Sequence, residues 1–147
     1  MQPTAIELQV VTPQRHVLQD TVQYIEMPGK EGYLGILPGH APLLTELGIG
    51  ILSYQKNGQT RYLTIAHGYA EVLPDRVIVL AEISDRAEEV DVTRTREGVE
   101  AAKAKLAKAS PGDEDWQRAS VELERCLNGL QAAARIGATS ATHDSSH

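Results

Sequence analysis

The spacing of apolar residues changes partway along the chain. Up to about residue 80, apolar and polar residues alternate in short runs separated by glycine and proline, whereas beyond residue 94 apolar residues recur at every third or fourth position. The first spacing is typical of β-strands and the second of α-helices. We therefore predict an α+β protein with a sheet domain over residues 1–84 and a helical domain after it, joined through the segment 81–94.

Several short strands are predicted in the first domain. Ile6, Leu8 and Val10 alternate with polar residues and indicate an opening strand. The Asn57-Gly58 pair is a strong hairpin signal, and Pro74-Asp75 indicates a second hairpin. The other expected strands cover residues 17–27, 49–54, 61–66, 69–73 and 77–81. Many short strands joined by tight turns predict an antiparallel sandwich or barrel.

Residues 32–43 do not fit a regular central strand. Two prolines and three glycines occur within these twelve residues, and proline is excluded from central strands because it lacks the N–H group that pairs with a neighbour. Leu34, Ile36, Leu37 and Leu43 are nevertheless apolar. The segment is therefore predicted to be a packed, shaped loop.

The second domain is predicted to be an antiparallel hairpin of two helices over residues 85–135. Asp91 is a suitable N-cap for the first helix, and Asp113 caps the second after a break at residues 110–113. Each helix carries a narrow apolar seam, formed by Val92, Thr95, Val99, Ala102, Leu106 and Ala109 in the first and by Trp116, Ala119, Leu123, Cys126, Leu127 and Leu130 in the second. A lone two-helix hairpin is marginally stable, so we expect this element to move. Residues 136–147 have the composition of a disordered tail.

Composition and charge exclude some classes of protein. The formal net charge is −6, and residues 1–84 and 85–147 each contribute −3, which argues against duplex nucleic acid as a partner. No apolar run approaches the roughly 20 residues that span a bilayer, and no export signal is recognisable at the N-terminus. The single cysteine, Cys126, fits a reducing compartment. These features predict a cytosolic protein, or one held at a membrane only through a partner.

The candidate catalytic groups are sparse. His40 and His67 lack the spacing of a zinc site, so structural roles are favoured for both. The Gly32-x-x-Gly35 pair lacks the Lys-Ser/Thr of a phosphate loop, and Cys126 falls on an apolar helix face where packing is the expected role. The first helix carries a run of cations that is either a solvated face or a surface for an acidic partner.

Two motifs resemble a known family, the epsilon subunits of bacterial and chloroplast F-type ATP synthases. The segment from Glu31 to Leu43 matches the family's Gly-x-x-Gly-x-x-Pro-x-His-x-Pro-Leu loop, and residues 67–72 match its Gly-Gly-hydrophobic-x-Glu-Val segment except that His67 replaces the first glycine. Residues 77–81 match the following Val-x-x-Leu-Ala strand. The resemblance extends over residues 5–135.

The resemblance implies a non-catalytic rotor subunit rather than an enzyme. Its first domain would be a sandwich of about ten short strands that binds the gamma subunit and the ring of c subunits, without entering the membrane itself, on the cytoplasmic face of the bacterial inner membrane. The implied rotor-interface loop consists of Glu31, Gly32, Tyr33, Gly35, Pro38, His40 and Pro42. The hairpin would inhibit ATP hydrolysis, and its implied contacts with the catalytic beta subunit are Arg94, Arg96, Lys103, Lys105 and Lys108.

The resemblance implies no required cofactor and at most weak binding of ATP. Some family members bind ATP through an Ile/Leu-Asp-x-x-Arg-Ala motif, which corresponds here to residues 90–95 with Thr95 in place of alanine. The implied ATP-binding residues are Asp85, Asp91, Arg94 and Arg125. A second arginine of the family's site is Gly129 here, and losing its charge-assisted contact weakens binding roughly tenfold or more.

Two alternatives to the rotor hypothesis remain. The chain could be a free-standing ATP-sensing module that closes its hairpin on the nucleotide, although Asp91 is equally well explained as an N-cap. It could also be a sandwich-fold hydrolase that uses His40 and His67, which would require a bound metal.

Overall fold

The computed structural model describes residues 3–145, and it describes the side chains of residues 3–136. The chain divides into two compact units, residues 1–87 and residues 88–147. The first unit is a sheet and the second a helical hairpin, so the class predicted from the sequence is confirmed.

The first unit contains one hydrogen-bonded sheet of seven strands in the order β2-β1-β7-β6-β5-β3-β4. Its strands are β1 (Ile6–Val11), β2 (His16–Val22), β3 (Tyr24–Gly29), β4 (Gly32–Ile36), β5 (Leu43–Lys56), β6 (Gln59–Val72) and β7 (Arg76–Ile83). All neighbouring pairs are antiparallel except β1 and β7, which are parallel. The expectation of an antiparallel sheet is wrong for this pair: β1 and β7, the first and last strands of the unit, lie side by side and run in the same direction.

The sheet has fewer and longer strands than the ten or so expected. The predicted strands 61–66 and 69–73 form one strand, β6. His67 (φ 59°) and Gly68 (φ 137°) have positive φ values that distort β6 locally, but its register with β5 is the same before and after them. The predicted strand 17–27 is instead divided at Gln23, whose amide donates to the carbonyl of Gln55 (2.8 Å). The Asn57-Gly58 turn is confirmed, with φ of 52° and 80°.

Part of the predicted loop 32–43 is a strand. Its first five residues form β4 at the edge of the sheet, where a strand needs only one pairing partner and tolerates glycine. Pro38 and Pro42 both follow the end of β4 at Ile36, so neither interrupts a ladder. Residues 32–43 therefore contain no central strand, as predicted, but residues 32–36 form an edge strand instead of a loop.

The sheet folds over on itself around an aliphatic core. β2 and β5 are not neighbours in the strand order, yet Lys56 Nζ lies 2.6 Å from Asp20 Oδ1 and joins the two. Between the layers lies a buried cluster that includes Ile6, Leu8, Val10, Val22, Ile25, Met27, Leu52, Leu63, Ile65, Val77 and Val79. The arrangement is a sandwich built from a single coiled sheet.

The second unit contains two helices, α1 (Val92–Lys108) and α2 (Glu114–Ser145), preceded by a short 3-10 helix at Ala87–Glu89. The predicted N-cap is confirmed, because the Asp91 side chain accepts a hydrogen bond from the backbone nitrogen of Arg94 (3.2 Å). The Asp113 carbonyl accepts the first bond of α2 from Gln117 (3.1 Å), whereas its side chain accepts from the Ser110 amide (3.1 Å).

The two helices pack antiparallel through small residues. A Cβ built on Gly98 would lie 3.0 Å from the Cys126 sulfur, and one on Gly129 would lie 3.6 Å from a methyl group of Thr95. Residues late in α2 therefore face residues early in α1. Leu127, which was expected in the seam, is 45% exposed. Among the helical residues up to 136, those that are buried are Val99, Ala102, Ala119, Asn128, Gly129 and Ala132.

The predicted disordered tail differs from the structure, in which α2 continues to Ser145. Its composition suggested disorder, but extending an existing helix requires no new nucleation, and Ala138 and Ala141 favour helix. Residues 146 and 147 lie outside the described residues.

Candidate functional site

The turn between β3 and β4 and the segment after β4 form an exposed corner of the sheet unit. Tyr33 is 54% exposed and Leu37 is 61% exposed. The Gly39 amide donates to the Pro74 carbonyl (2.8 Å), which ties the segment to the loop before β7. His40 is held locally, with its amide bonded to the Leu37 carbonyl (3.2 Å) and its Nδ1 lying 2.6 Å from the Ala41 carbonyl oxygen.

The turn is also attached to β5 through Lys30 and Glu46. Lys30 Nζ lies 2.7 Å from Glu46 Oε2, and the Lys30 amide donates to the Glu46 carbonyl oxygen (2.9 Å). The hydrogen bond from Lys30 lowers the pKa of the Glu46 carboxyl and raises the pKa of Lys30. An open groove of about 540 Å³ runs between the turn residues 29–34 and residues 43–46.

An exposed apolar patch extends this corner across the outer face of the sheet. Leu44, Tyr69 and Leu80 are 71%, 53% and 56% exposed, and they point to the same face because Glu46 pairs with Tyr69, which in turn pairs with Leu80. Carboxylates border the patch, since Glu46 and Glu71 lie beside it on the same face. Apolar patches rimmed by polar residues mark interaction surfaces. This patch was not predicted from the sequence. Its signal is the adjacent apolar pairs Leu43-Leu44 and Val79-Leu80, which place apolar side chains on both faces of a strand.

Three of the four predicted ATP-binding residues have other partners inside their own units. Asp85 belongs to the sheet unit, where its carboxylate lies 3.4 Å from Arg15 Nη2. In the helical unit, Asp91 caps α1 and Arg125 Nη2 lies 2.6 and 2.7 Å from the two carboxylate oxygens of Glu122. Gly129 is buried against Val90 and Thr95. The same region contains Cys126, whose thiol has a pKa raised mainly by burial, so it is not an activated nucleophile.

The five cations of α1 do not share one face. With 100° per residue, Lys105 lies about 20° and Lys108 about 40° from Arg94 around the helix axis. Arg96 and Lys103 lie about 20° from each other on nearly the opposite side, and Lys103 is 3.9 Å from Glu100. The cations therefore form two flanks, the first with Arg94, Lys105 and Lys108, and the second with Arg96 and Lys103.

The described residues show neither a metal cluster nor a membrane span. Within the part of the chain whose side chains are described, no three His, Cys, Asp or Glu residues gather as a metal site requires. No helix of the described residues combines the length and apolar character needed to cross a bilayer.

The fold and the exposed corner define a class of protein, a coiled β-sandwich that presents an interaction surface and is followed by a helical hairpin. The chain belongs to the ATP synthase delta/epsilon chain family, since the family model of its β-sandwich domain matches residues 5–90. Chain-wide similarity to curated relatives agrees with this assignment.

Three proteins illustrate the similarity. The chain is 51% identical to the ATP synthase epsilon chain of Koribacter versatilis over 105 residues, which cover 71% of this chain and 74% of the relative. It is 41% identical to that of Geobacter sulfurreducens over 130 residues, covering 88% and 94%. A chain in the Euglena gracilis mitochondrial ATP synthase structure of OSCP, F1 and c-ring superposes with a TM-score of 0.77 at 27% identity, covering 91% of this chain and 84% of that chain.

Proposed function

We propose that the chain is a non-catalytic subunit of the central stalk of a proton-translocating ATP synthase, where it joins the catalytic head to the c-ring. The observation that carries the proposal is the family match over residues 5–90, together with the superposition on a chain from a structure that contains F1 and the c-ring. Through this assembly the chain would lie on the cytoplasmic face of the bacterial inner membrane without inserting into it.

The sheet unit is the part that binds the rotor in this proposal. The corner formed by Glu31, Gly32, Tyr33, Gly35, Pro38, His40 and Pro42 supplies the contact with the gamma subunit and the c-ring. The exposed patch of Leu44, Tyr69 and Leu80 supports an extended contact, because leaving three large apolar side chains in water is unusual for a free surface. Glu71 at its border favours a partner surface that carries cations, whereas Glu46 is already paired with Lys30.

The helical unit is the regulatory part in this proposal. The division of the chain at residue 87 and the narrow seam of small residues support a hairpin that changes position without unfolding the sheet. In one position the α1 cations meet an acidic segment of the catalytic beta subunit, and ATP hydrolysis is inhibited. The flank of Arg94, Lys105 and Lys108 is the better candidate for this contact, because it gathers three cations within about 60° around the helix axis whereas the other flank has two.

ATP is not required for this role, and we propose that it binds weakly at most. Arg125 is engaged with Glu122, and Gly129 supplies no charge where the family's second arginine would stand. An ATP-sensing module remains the alternative function, and Asp91 and Arg94 are the residues that favour it.

The decisive experiment removes the hairpin from the assembled enzyme. The chain should be ended after Ala87, because Asp85 and Arg86 are bonded to the sheet unit. We expect ATP hydrolysis by the holoenzyme to rise several-fold while proton pumping stays coupled. A control chain that ends after Ile136 keeps the contacts of Gly129 with Val90 and Thr95 and should retain the inhibition. Unchanged hydrolysis after removal of residues 88–147 would refute the regulatory role.

A further inference from the structure

The ladder between β3 and β5 contains a gap. Glu26 pairs with Ser53, but the next pair is Gly29 with Leu47, so residues 27 and 28 of β3 face residues 48–52 of β5. Pro28 has no N–H to donate. A buried strand with unpaired amides is costly, and the side chain of Ile51, in the middle of this gap, is only 2% exposed.

The hydroxyl of Tyr33 occupies this gap. The backbone amide of Ile51 donates to it over 3.0 Å. Tyr33 lies on the edge strand β4 directly opposite Pro28, so its ring passes over β3 to reach β5. One side chain therefore connects three strands, while half of its surface stays exposed to solvent.

Gly50 leaves the space that this arrangement needs. A Cβ built on Gly50 would lie 2.6 Å from the Tyr33 hydroxyl oxygen and 2.5 Å from Pro28 Cβ, both closer than side-chain atoms approach. The φ of Gly50 is not among the positive values, so close approach, rather than backbone freedom, is the reason for glycine here. Tyr24 and Gly35 show the same arrangement, with the Tyr24 hydroxyl 2.6 Å from a Cβ built on Gly35.

We propose that Tyr33 and Gly50 hold the turn Gly29–Gly32 in its binding conformation before a partner arrives. We call this contact the latch: the Tyr33 hydroxyl lies over Gly50 and accepts a hydrogen bond from the Ile51 amide. Tyr33 is then a positioning residue whose ring is also presented to the partner. Preorganisation of this kind lowers the ordering cost of association. The inference rests on the proposed function only where it names the rotor as the partner.

The test uses the full-length chain and Tyr33→Phe, which removes the hydroxyl and keeps the exposed ring. We expect hydrogen exchange at the Ile51 amide to rise at least about fivefold, because its acceptor is lost. Tyr69→Phe is the control for exchange, since the Tyr69 hydroxyl contacts only the exposed Glu46 carboxylate in the described contacts (3.4 Å). Gly50→Ala should raise hydrogen exchange at the Ile51 amide while leaving the Tyr33 side chain unchanged. If Gly50→Ala fails to fold, the exchange measured in Tyr33→Phe decides whether the latch exists.

A second measurement connects the latch to binding. Affinity of the full chain for a purified complex of gamma subunit and c-ring should fall about threefold to tenfold in Tyr33→Phe. Unchanged exchange at Ile51 would overturn the latch. Faster exchange with unaltered affinity would overturn the positioning role while leaving the hydrogen bond in place. Failure of the unaltered chain to bind the rotor complex would overturn the proposed function, and the exchange result would still decide the latch.

Discussion

Thr64 and Asp85 are joined by reciprocal hydrogen bonds that extend the sheet unit beyond its last strand. The Thr64 amide donates to the Asp85 carbonyl (2.8 Å), and the Asp85 amide donates to Thr64 Oγ1 (2.9 Å). Arg86 Nε donates to the Val17 carbonyl (2.9 Å) and continues the attachment. Residues 85–87 therefore belong to the sheet unit, and any pivot of the hairpin begins after Ala87 rather than at residue 81.

Thr64→Val should weaken this attachment. The valine has nearly the same shape but leaves the Asp85 amide without its acceptor, which costs about 1–2 kcal/mol of unfolding free energy. Thr64→Ser keeps the hydroxyl and serves as the matched control. Hydrogen exchange at Asp85 in the full chain, together with urea unfolding, measures the effect. If exchange at Asp85 is equal in the valine and serine variants, the side chain does not secure the junction.

Substitutions at His67 and at Gly68 should have opposite effects on the free energy of unfolding. A Cβ on Gly68 would lie 2.0 Å from the Leu80 carbonyl oxygen, and its φ of 137° is unfavourable for any side chain. Gly68→Ala should therefore cost about 3 kcal/mol or more. His67 has a left-handed backbone that asparagine adopts more readily.

The companion variant His67→Asn should keep or raise stability by up to about 0.5 kcal/mol. Both variants are compared by thermal and chemical unfolding of the full chain. A loss of stability in His67→Asn similar to that in Gly68→Ala would contradict the backbone explanation and would instead indicate a specific contact of the imidazole.

Local signals in the sequence predicted the elements that depend on local chemistry. The Asn57-Gly58 turn and the Asp91 cap were found because each depends on backbone preferences of one or two residues. The His67-Gly68 pair was predicted to separate two strands, because the sequence does not show whether a glycine ends a strand or only distorts it. That outcome depends on pairing with Leu47, about twenty residues away along the chain.

Three features that the sequence did not predict involve pairings between residues far apart in the chain. The parallel contact of β1 with β7 joins residues about 70 positions apart. The patch of Leu44, Tyr69 and Leu80 arises from the register of three strands, and the Tyr33 latch from a gap in another ladder. Motif resemblance identified Tyr33 and Gly35 as important, but only the fold explains what their atoms contact.

The ion pair of Asp20 and Lys56 should make stability depend on pH in the acid range. The hydrogen bond from Lys56 lowers the pKa of Asp20 below its ordinary value of 3.8. A carboxyl with a lowered pKa stabilises the folded state above its unfolded pKa, and this contribution disappears as the pH falls through the folded value. Asp20→Asn should therefore cost about 0.5–1 kcal/mol at pH 7, since the pair is partly exposed.

The control compares the stability of the unaltered chain and of Asp20→Asn at low pH. The difference in urea midpoint between the two chains should shrink as the pH falls below 3.8 and through the lowered pKa of folded Asp20, because Asp20 then becomes protonated in both states. Lys56→Gln should reproduce the effect at pH 7. A stability difference between the original chain and Asp20→Asn that stays constant from pH 7 to pH 3 would show that the pair contributes through packing instead of charge.

The two cationic flanks of α1 should contribute unequally to inhibition. Replacing Arg94, Lys105 and Lys108 by glutamine should raise ATP hydrolysis by the holoenzyme more, per charge removed, than replacing Arg96 and Lys103, because the first flank gathers three cations within about 60° around the helix axis. Added salt should narrow the difference if the contact is electrostatic. Equal effects per removed charge would indicate that total helix charge matters and that no flank faces the beta subunit.

Adding the missing cation should raise the affinity for ATP if the hairpin retains the geometry of the family's nucleotide site. A Cβ on Gly129 would lie 3.6 Å from Thr95 and 3.7 Å from Val90, which is ordinary contact, so the first carbon of a side chain fits at residue 129. Its guanidinium would add a charge-assisted contact and strengthen ATP binding about tenfold or more. Glu122→Gln is a second route, because it releases Arg125 from its ion pair.

Calorimetry with the full chain measures both variants against the unaltered protein, for which we expect weak binding or none. Gly129→Ala is the matched control, since it fills the same space without charge and should leave the ATP affinity unaltered. Combining Gly129→Arg with Arg94→Ala should remove the gain, because two guanidinium groups are then needed on the phosphates. If Gly129→Arg and Gly129→Ala bind ATP equally, residues 90–95 form a helix start whose Asp91 acts as a cap alone, and regulation of this hairpin depends on its protein partners.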